Sequence, residues 1–497
     1  MEYISTRGNY NKVSAAEAIR LGMVPEGGLF VPEFVPELEL QEIISKKDLS
    51  YQEIAVWILD KFLTDYSKDE IKNAAAAAYA KENFPVETVT PLVELEDNTY
   101  ILELWHGPTA AFKDLALQVM PYLLVTAAEK SEIDDEIVIL VATSGDTGKA
   151  ALEGFKDVNG IKIIVFYPED GVSHVQKDQM RTTGGSNTEV VSLAGNFDDC
   201  QNAVKEIFSD QDFKEKMKEN NYQFSSANSI NWGRLLPQIV YYFAAYFQLL
   251  NSGVLSAGDK INISVPTGNF GNILAAYYSH KMGLPVEKFI CASNDNNVLT
   301  DFIKTGEYDI NREFKKTISP SMDILISSNL ERFLFEITGH DSNKINKWYN
   351  DLEKTGGFKV DNKTLEKIGE KFVGEYSLEN EAKSAVKRSY EKYNYLIDPH
   401  TAVGIDSLAK YRDKTGDYTI TVVDSTASPY KFSRAVLESL KNKIITKDEY
   451  RVIDELYQLT GFEIHRAIKD LEDKKIIHKR KCRKDEVKSE LEDILKL

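Results

Sequence analysis

Apolar positions recur along the chain with two different periods. Between Asp48 and Ala80, Ile54, Ile58 and Phe62 stand at helical spacing and lead into the alanine run Ala74 to Ala78, which predicts helix. Thr99-Tyr100-Ile101-Leu102-Glu103-Leu104 alternates as a strand does. Ile137-Val138-Ile139-Leu140-Val141 and Ile161-Lys162-Ile163-Ile164-Val165-Phe166 are apolar, β-branched runs separated by a Gly-rich turn and a helix-length segment. That order predicts a βαβ unit with parallel strands. Ile261-Asn262-Ile263-Ser264-Val265 and Tyr418-Thr419-Ile420-Thr421-Val422-Val423 repeat the signal, each ending in small polar residues. In open α/β sheets ligands collect at the carboxyl ends of strands.

Elsewhere the pattern is polar. From Lys344 to Lys392 the chain is dense in Lys, Glu, Asp and Asn and offers amphipathic helices with solvated faces. From Ile444 to Leu497 it is again charged and helical, and the basic run His478-Lys479-Arg480-Lys481 reads as exposed surface. With 497 residues, the chain exceeds what one hydrophobic core usually serves, so several packed units are expected. Sixty Lys and Arg against 78 Asp and Glu give a net charge of -18, which opposes attraction to nucleic acid or anionic lipid but leaves room for local capture of a small anion. Cys200, Cys291 and Cys482 are widely separated and form neither a disulfide framework nor a zinc motif, which suggests a reducing compartment. Met1 to Arg7 lacks the pattern of a secretory signal, and no apolar run reaches the roughly 18 residues of a membrane span. A cytoplasmic protein is expected.

Several strand ends carry chemistry. In Glu103-Leu104-Trp105-His106-Gly107-Pro108-Thr109-Ala110-Ala111-Phe112-Lys113-Asp114, a strand ends, a Gly-Pro turn follows and a lysine opens a helix. A lysine sheltered by Ala110, Ala111, Phe112 and Leu115 loses affinity for its proton and becomes a Schiff-base nucleophile; Lys113 is the candidate. Thr143-Ser144-Gly145-Asp146-Thr147-Gly148-Lys149 is similar in part to a nucleotide-binding P-loop, but Thr143 and Ala150 break that motif. It is either a capped tight turn or a helix amino terminus that receives an anion. Thr267-Gly268-Asn269-Phe270-Gly271-Asn272 has the same layout, and its consecutive N–H groups could ring a phosphate or simply turn the chain. Ser226-Ala227-Asn228-Ser229-Ile230-Asn231-Trp232-Gly233-Arg234 adds small donors and an arginine suited to oxyanions. Asp398-Pro399-His400-Thr401-Ala402 and Ser425-Thr426-Ala427-Ser428-Pro429-Tyr430-Lys431-Phe432 read as polar loops. The other histidines show no metal-binding spacing, and there is no Gly-x-Ser-x-Gly elbow.

In this order the motifs resemble those of the threonine synthase family, as do Tyr3-Ile4-Ser5-Thr6-Arg7 and Glu26-Gly27-Gly28-Leu29-Phe30-Val31-Pro32. The resemblance implies a fold-type-II pyridoxal-phosphate enzyme of α/β class, similar to tryptophan synthase beta. Open twisted, mostly parallel sheets flanked by helices would form a large and a small domain. It implies a mostly helical unit at 1–88 and a large cofactor-binding domain at 89–132 and 226–435, with a charged helical insertion near 340–392. A small mobile domain at 133–225 and a helical tail at 436–497 would complete the chain. Lys113 would carry pyridoxal 5'-phosphate and move protons; Gly268, Asn269, Phe270, Gly271 and Asn272 would cradle its phosphate, and Thr426 would meet its ring nitrogen. The substrate, O-phospho-L-homoserine, would be bound by His106, Thr109, Ser144, Gly145, Asp146, Thr147, Asn228, Ser229 and Arg234, with no metal. The implied reaction expels phosphate from the γ carbon and adds water at the β carbon, giving L-threonine. A monomer or homodimer without nucleic-acid or membrane partners is expected. Ser428 and Tyr430, which flank Thr426, depart from the His and Ala common in the family. A threonine or serine dehydratase of the same fold is the closest rival, but it has no distal phosphate for Arg234 to hold.

Overall fold

Strands that are apolar on both faces need cover on both sides, and here they assemble into two sheets. The computed structural model describes all residues except 132–134, 144, 170–171, 442–443 and 445, and the side chains of all the others except 197 and 198. The larger sheet has six strands in the order Phe372–Tyr376, Val286–Ser293, Ile261–Pro266, Thr421–Ser425, Thr99–Glu103 and Leu92–Glu94. Only the last pairing is antiparallel. The smaller sheet has five parallel strands, Arg480–Arg483, Thr188–Ala194, Ile161–Pro168, Glu136–Ala142 and Tyr222–Ser225. The mostly parallel α/β class inferred from the sequence is therefore the one observed.

Local signals explain where elements begin. The segment from Asp48 to Ala80 divides into two helices, Tyr51–Phe62 and Lys68–Ala78, each opened by a reciprocal cap between a serine and the glutamate three residues on. Asp398-Pro399-His400, expected as loop, starts the helix Pro399–Thr415: the Asp398 carboxylate accepts from the His400 and Thr401 amides, and proline occupies the first turn. This helix packs along the larger sheet, and Gly404 permits the approach, since a Cβ there would lie 3.1 Å from Val423 and 3.2 Å from Pro266. Trp232 is fully buried and meets Tyr3 and Tyr278 edge-on, each at 5.5 Å, tying the amino-terminal strand pair to the helix Gly271–Lys281. Burying a side chain of this kind contributes about 2–3 kcal/mol.

Two charged regions differ from expectation. The helices Ser342–Thr355, Asn362–Lys371 and Glu379–Tyr393 fall in the stretch read as a helical insertion, but so does the strand Phe372–Tyr376, an edge of the larger sheet. Phe372 anchors it by stacking on Phe289 at 4.9 Å and packing on Phe333 at 4.5 Å, an apolar signal diluted by the lysines and glutamates around it. In the terminal region the basic run enters the strand Arg480–Arg483. As an edge strand it can carry charge; Cys482 is buried while Arg480 and Lys481 pair with Glu189 and Glu169 on neighbouring elements. The expected start of the small domain, near 133, lies outside the described residues. No helix among the described residues is long and apolar enough to cross a membrane.

Candidate active site

Ile261–Pro266, Thr421–Ser425 and Thr99–Glu103 lie side by side in parallel, so their carboxyl ends open at one edge of the sheet. Each runs directly into a motif singled out above. After Ile261–Pro266 the chain turns into the helix Gly271–Lys281, with Phe270 left-handed at φ 60° and no side chain capping the helix. That conformation costs a non-glycine residue about 1–2 kcal/mol; packing of the Phe270 ring against Phe333 at 5.2 Å stabilises it. The side chains here stitch the turn together: Thr267 Oγ1 donates to the Val265 carbonyl at 2.7 Å and Asn272 Nδ2 to that of Pro266 at 3.1 Å. The amides of Gly268, Asn269, Phe270, Gly271 and Asn272, by contrast, donate no hydrogen bond among the described residues. A row of free N–H groups at a helix amino terminus is a receptor for a phosphate-sized anion.

The turn is held from behind by a segment that the sequence did not bring to notice. Ser327 Oγ donates to the Gly268 carbonyl at 2.8 Å, Asn329 Nδ2 to that of Asn269 at 3.1 Å, and Ser328 Oγ to Asn269 Oδ1 at 3.2 Å. A Cβ on Gly268 would stand 2.6 Å from the Ser321 carbonyl oxygen, so only glycine fits. The Ser321 amide in turn donates to His400 Nε2 at 3.2 Å, while His400 Nδ1 lies 2.7 Å from Asp398. Ordinary serine and asparagine content gave no signal for Ser321, Ser327 or Asn329.

The Gly-Pro turn before Lys113 is folded around Asp114. That buried carboxyl accepts from the Thr109 amide at 2.8 Å and hydroxyl at 2.6 Å, and burial pushes its pKa up to about 6. Thr109, expected to bind substrate, is instead fully buried with its hydroxyl committed to Asp114. His106 is likewise committed: Nε2 lies 2.7 Å from Glu103 and the ring stacks on Trp105 at 4.3 Å. Lys113 extends past Phe112 with its side chain 11% exposed, and its Nζ lies 3.4 Å from Asp146 Oδ2. Burial lowers its pKa; Asp146 opposes the shift, and Lys431 and Arg234 reinforce it.

Asp146 begins the helix Asp146–Phe155 after the smaller-sheet strand Glu136–Ala142. Its carboxylate meets Lys431 Nζ at 3.0 Å, Gln176 Nε2 at 2.7 Å and Ser321 Oγ at 3.3 Å in addition to Lys113. Burial alone would raise its pKa, yet Lys431, Lys113 and Gln176 hold it well below the usual carboxylate range. Asp146 is therefore an anion already paired. The Gly145 amide is also spent, donating to Thr143 Oγ1 at 3.0 Å, and Ser144 lies outside the described residues. The amides of Asp146 and Thr147 donate no bond among the described residues. Lys431 stands in a motif noted from the sequence, but its role there depends on a partner 285 positions away.

Arg234 lies beside this turn, buried, with Nη1 donating to the Ala227 carbonyl at 2.9 Å and Nη2 to Thr147 Oγ1 at 3.5 Å. Among the described residues no carboxylate pairs with it, and burial brings its pKa down to about 10. Ser229 Oγ is 3.1 Å from Ser328 Oγ, and the Asn228 side chain has no partner among the described residues. Thr426 accepts from the Phe112 amide at 2.9 Å through its carbonyl, while its hydroxyl makes no bond among the described residues. Of the two departures beside it, Ser428 is buried with its amide on the Ala110 carbonyl at 3.0 Å. Tyr430 points to the Phe462 carbonyl at 2.5 Å, fastening the terminal region.

A family model for pyridoxal-phosphate dependent enzymes matches residues 84–346, and one for the threonine synthase N terminus matches residues 2–79. The chain is 42% identical over 464 residues to threonine synthase-like 1 of Homo sapiens, an alignment covering 90% of this chain and 61% of that protein. It is 38% identical over 465 residues to threonine synthase of Schizosaccharomyces pombe, covering 88% of each. Among solved structures it resembles the PLP-bound threonine synthase from Brucella melitensis, with a TM-score of 0.88 at 34% identity over 100% of this chain and 98% of that one. Fold and site thus define the class of pyridoxal-phosphate-dependent enzymes. Within that class, the chain belongs to the threonine synthase family. It spans 61% of the length of the first curated relatives it matches.

Pyridoxal phosphate is the cofactor of this family, and the residues present fit it. Five amides free among the described residues in one turn suit its phosphate, a sheltered lysine suits its aldehyde, and the Thr426 hydroxyl, unpartnered among the described residues and directly after the middle strand Thr421–Ser425, suits its ring nitrogen.

Proposed function

We propose that this chain is a threonine synthase, converting O-phospho-L-homoserine and water to L-threonine and phosphate, the last step of threonine biosynthesis. The observation that carries the reading is Arg234, a buried guanidinium without an acid partner among the described residues, whose charge acts on Lys113. Burying an unpaired guanidinium costs several kcal/mol unless an anion joins it, at the order of magnitude expected for buried ions. A substrate whose distal group is a phosphate supplies that anion, whereas threonine or serine does not.

When bound, pyridoxal phosphate supplies an electron sink for negative charge developing beside the substrate amine. Lys113 Nζ would be the cofactor's attachment point and would also serve as the base and acid that moves protons on the substrate carbons. The amides of Gly268 to Asn272 hold the cofactor phosphate. Thr426 meets the ring nitrogen with a neutral hydroxyl, which does not force that nitrogen to take a proton. The Asp146 and Thr147 amides, with Ser144, receive the substrate carboxylate; Asn228, Ser229 and Arg234 hold its phosphate. The small domain, 133–225, closes over the substrate and excludes water. Contact of Asp146, itself braced by Gln176, with Ser321 and Lys431 supports such a closed arrangement. On this reading the enzyme works in the cytoplasm as a monomer or homodimer.

Incubating the full chain with O-phospho-L-homoserine and measuring phosphate and L-threonine together tests the proposal. Equal yields of the two are expected, with little turnover of L-threonine or L-serine. Phosphate accompanied by 2-oxobutanoate in place of threonine, or faster consumption of L-threonine, would overturn it.

A further inference from the structure

We infer that Lys431 is a positioning residue for Lys113: it takes the nearer share of the Asp146 carboxylate and so leaves the Lys113 amine free to bond the cofactor. The inference rests on the proposed role of Lys113 but concerns a different residue. Lys431 is fully buried, and its Nζ makes two short contacts, 2.8 Å to the Thr109 carbonyl and 3.0 Å to Asp146 Oδ1. A buried ammonium needs such partners. Lys113 reaches only the other oxygen of the same carboxylate, at 3.4 Å.

The charged groups facing Lys113 are Asp146, Lys431 and Arg234. Asp114, its neighbour in sequence, is turned to Thr109 and does not compensate. Two ammonium groups therefore share one carboxylate while the Arg234 guanidinium adds a third positive charge nearby, and the less tightly held amine relieves the repulsion by giving up its proton. That amine is Lys113, whose displaced pKa accords with the geometry. Asp146 belongs to the smaller-sheet side, while Lys431, Lys113 and Ser321 belong to the larger-sheet side. The same ion pair therefore joins the two halves and sets the charge of the nucleophile.

The test follows the pH dependence of two reactions at Lys113 in the cofactor-free full chain. One is competitive acetylation by acetic anhydride; the other is borohydride-trapped attachment of pyridoxal phosphate, both located by mass spectrometry. Lys431→Met is expected to move the Lys113 midpoint up by about one pH unit, making attachment about tenfold slower at neutral pH. Asp146→Asn is expected to move it down, because the stabilising anion is lost while Lys431 remains. Lys431→Arg is expected to restore the wild-type profile. A merely structural role would not give shifts of opposite sign. An unchanged or lowered midpoint in folded Lys431→Met, or shifts of the same sign in both variants, would overturn the inference. If Lys431→Met fails to fold, Asp146→Asn decides, and the absence of a downward shift overturns it. Trapping of pyridoxal phosphate at another lysine in the wild type would instead sink the reading of Lys113 itself, while the acetylation profile would still judge Lys431.

Discussion

Two strand–turn–helix junctions face the site, one at Thr267–Asn272 and one at Thr143–Thr147, and they present opposite electrostatics. In the first, side chains stitch the turn and five amides stay free; in the second, Thr143 takes the Gly145 amide and Asp146 adds a paired carboxylate. The aspartates behind them differ in the same sense. Asp424, in the strand Thr421–Ser425, has Tyr242 OH at 2.8 Å as its one side-chain partner among the described residues, and burial pushes its pKa up to about 7. Asp146 is buried to a similar extent but meets two ammonium groups and is held low. Burial alone does not decide the charge of a carboxyl; the partners do. One turn offers free amides that, on the proposed reading, receive an external phosphate, and the other carries its own anion.

Substitutions can break that contrast. The largest effect on activity is expected for Arg234→Met, which should lower kcat/KM for O-phospho-L-homoserine roughly a hundredfold, about 3 kcal/mol for a hydrogen-bonded charge, while pyridoxal phosphate binding is unchanged. A comparable loss in cofactor binding would mean that Arg234 serves the first phosphate instead. Next is Gly268→Ala, whose Cβ would meet the Ser321 carbonyl at 2.6 Å. Overpacking of this kind costs about 2 kcal/mol, so absorbance titration should show pyridoxal phosphate binding roughly thirtyfold weaker. Gly145→Ala would press on the Gln176 side chain at 2.5 Å and should affect substrate KM more than cofactor binding.

The effect of pH falls on stability. The folded chain keeps a proton on Asp424 up to about pH 7, whereas an unfolded aspartate releases it near 4. Stability should therefore fall as pH rises from about 4 to 7, by on the order of 4 kcal/mol, and Asp424→Asn should flatten that slope in urea unfolding. Asp146 acts in the opposite sense: its contribution is present above about pH 4 and is lost as pH falls further. The smallest change is expected for Ser173→Ala, which removes the cap that orients Gln176 toward Asp146. About 1 kcal/mol should be lost, with Tm lower by roughly 1–2 °C in thermal unfolding.

What the sequence made legible follows from the range of each interaction. The 268–272 turn directly follows an apolar strand and Lys113 follows one after a Gly-Pro turn, so local pattern brought them out; Thr426, just past a third strand, read only as a polar loop until the family resemblance gave it a role. The pairing of Asp146 with Lys431 and the packing of Ser321 on Gly268 join distant segments, and no local pattern encodes them. Thr109 and His106, read from the motif as ligands, have the Thr109 hydroxyl and the His106 Nε2 engaged with Asp114 and Glu103, contacts that the motif alone did not announce. The strands Phe372–Tyr376 and Arg480–Arg483 escaped because edge strands tolerate charge, leaving Phe372 and Cys482 as the main apolar signals.

The account stands on two separate phosphate receptors, and a crystal structure of the full chain with pyridoxal phosphate and a non-reactive phosphonate analogue of O-phosphohomoserine tests it most directly. The prediction is one phosphate on the amides of Gly268 to Asn272 and the phosphonate within hydrogen-bonding distance of Arg234. A phosphonate bound away from Arg234, or Arg234 engaged with the cofactor phosphate, would contradict it.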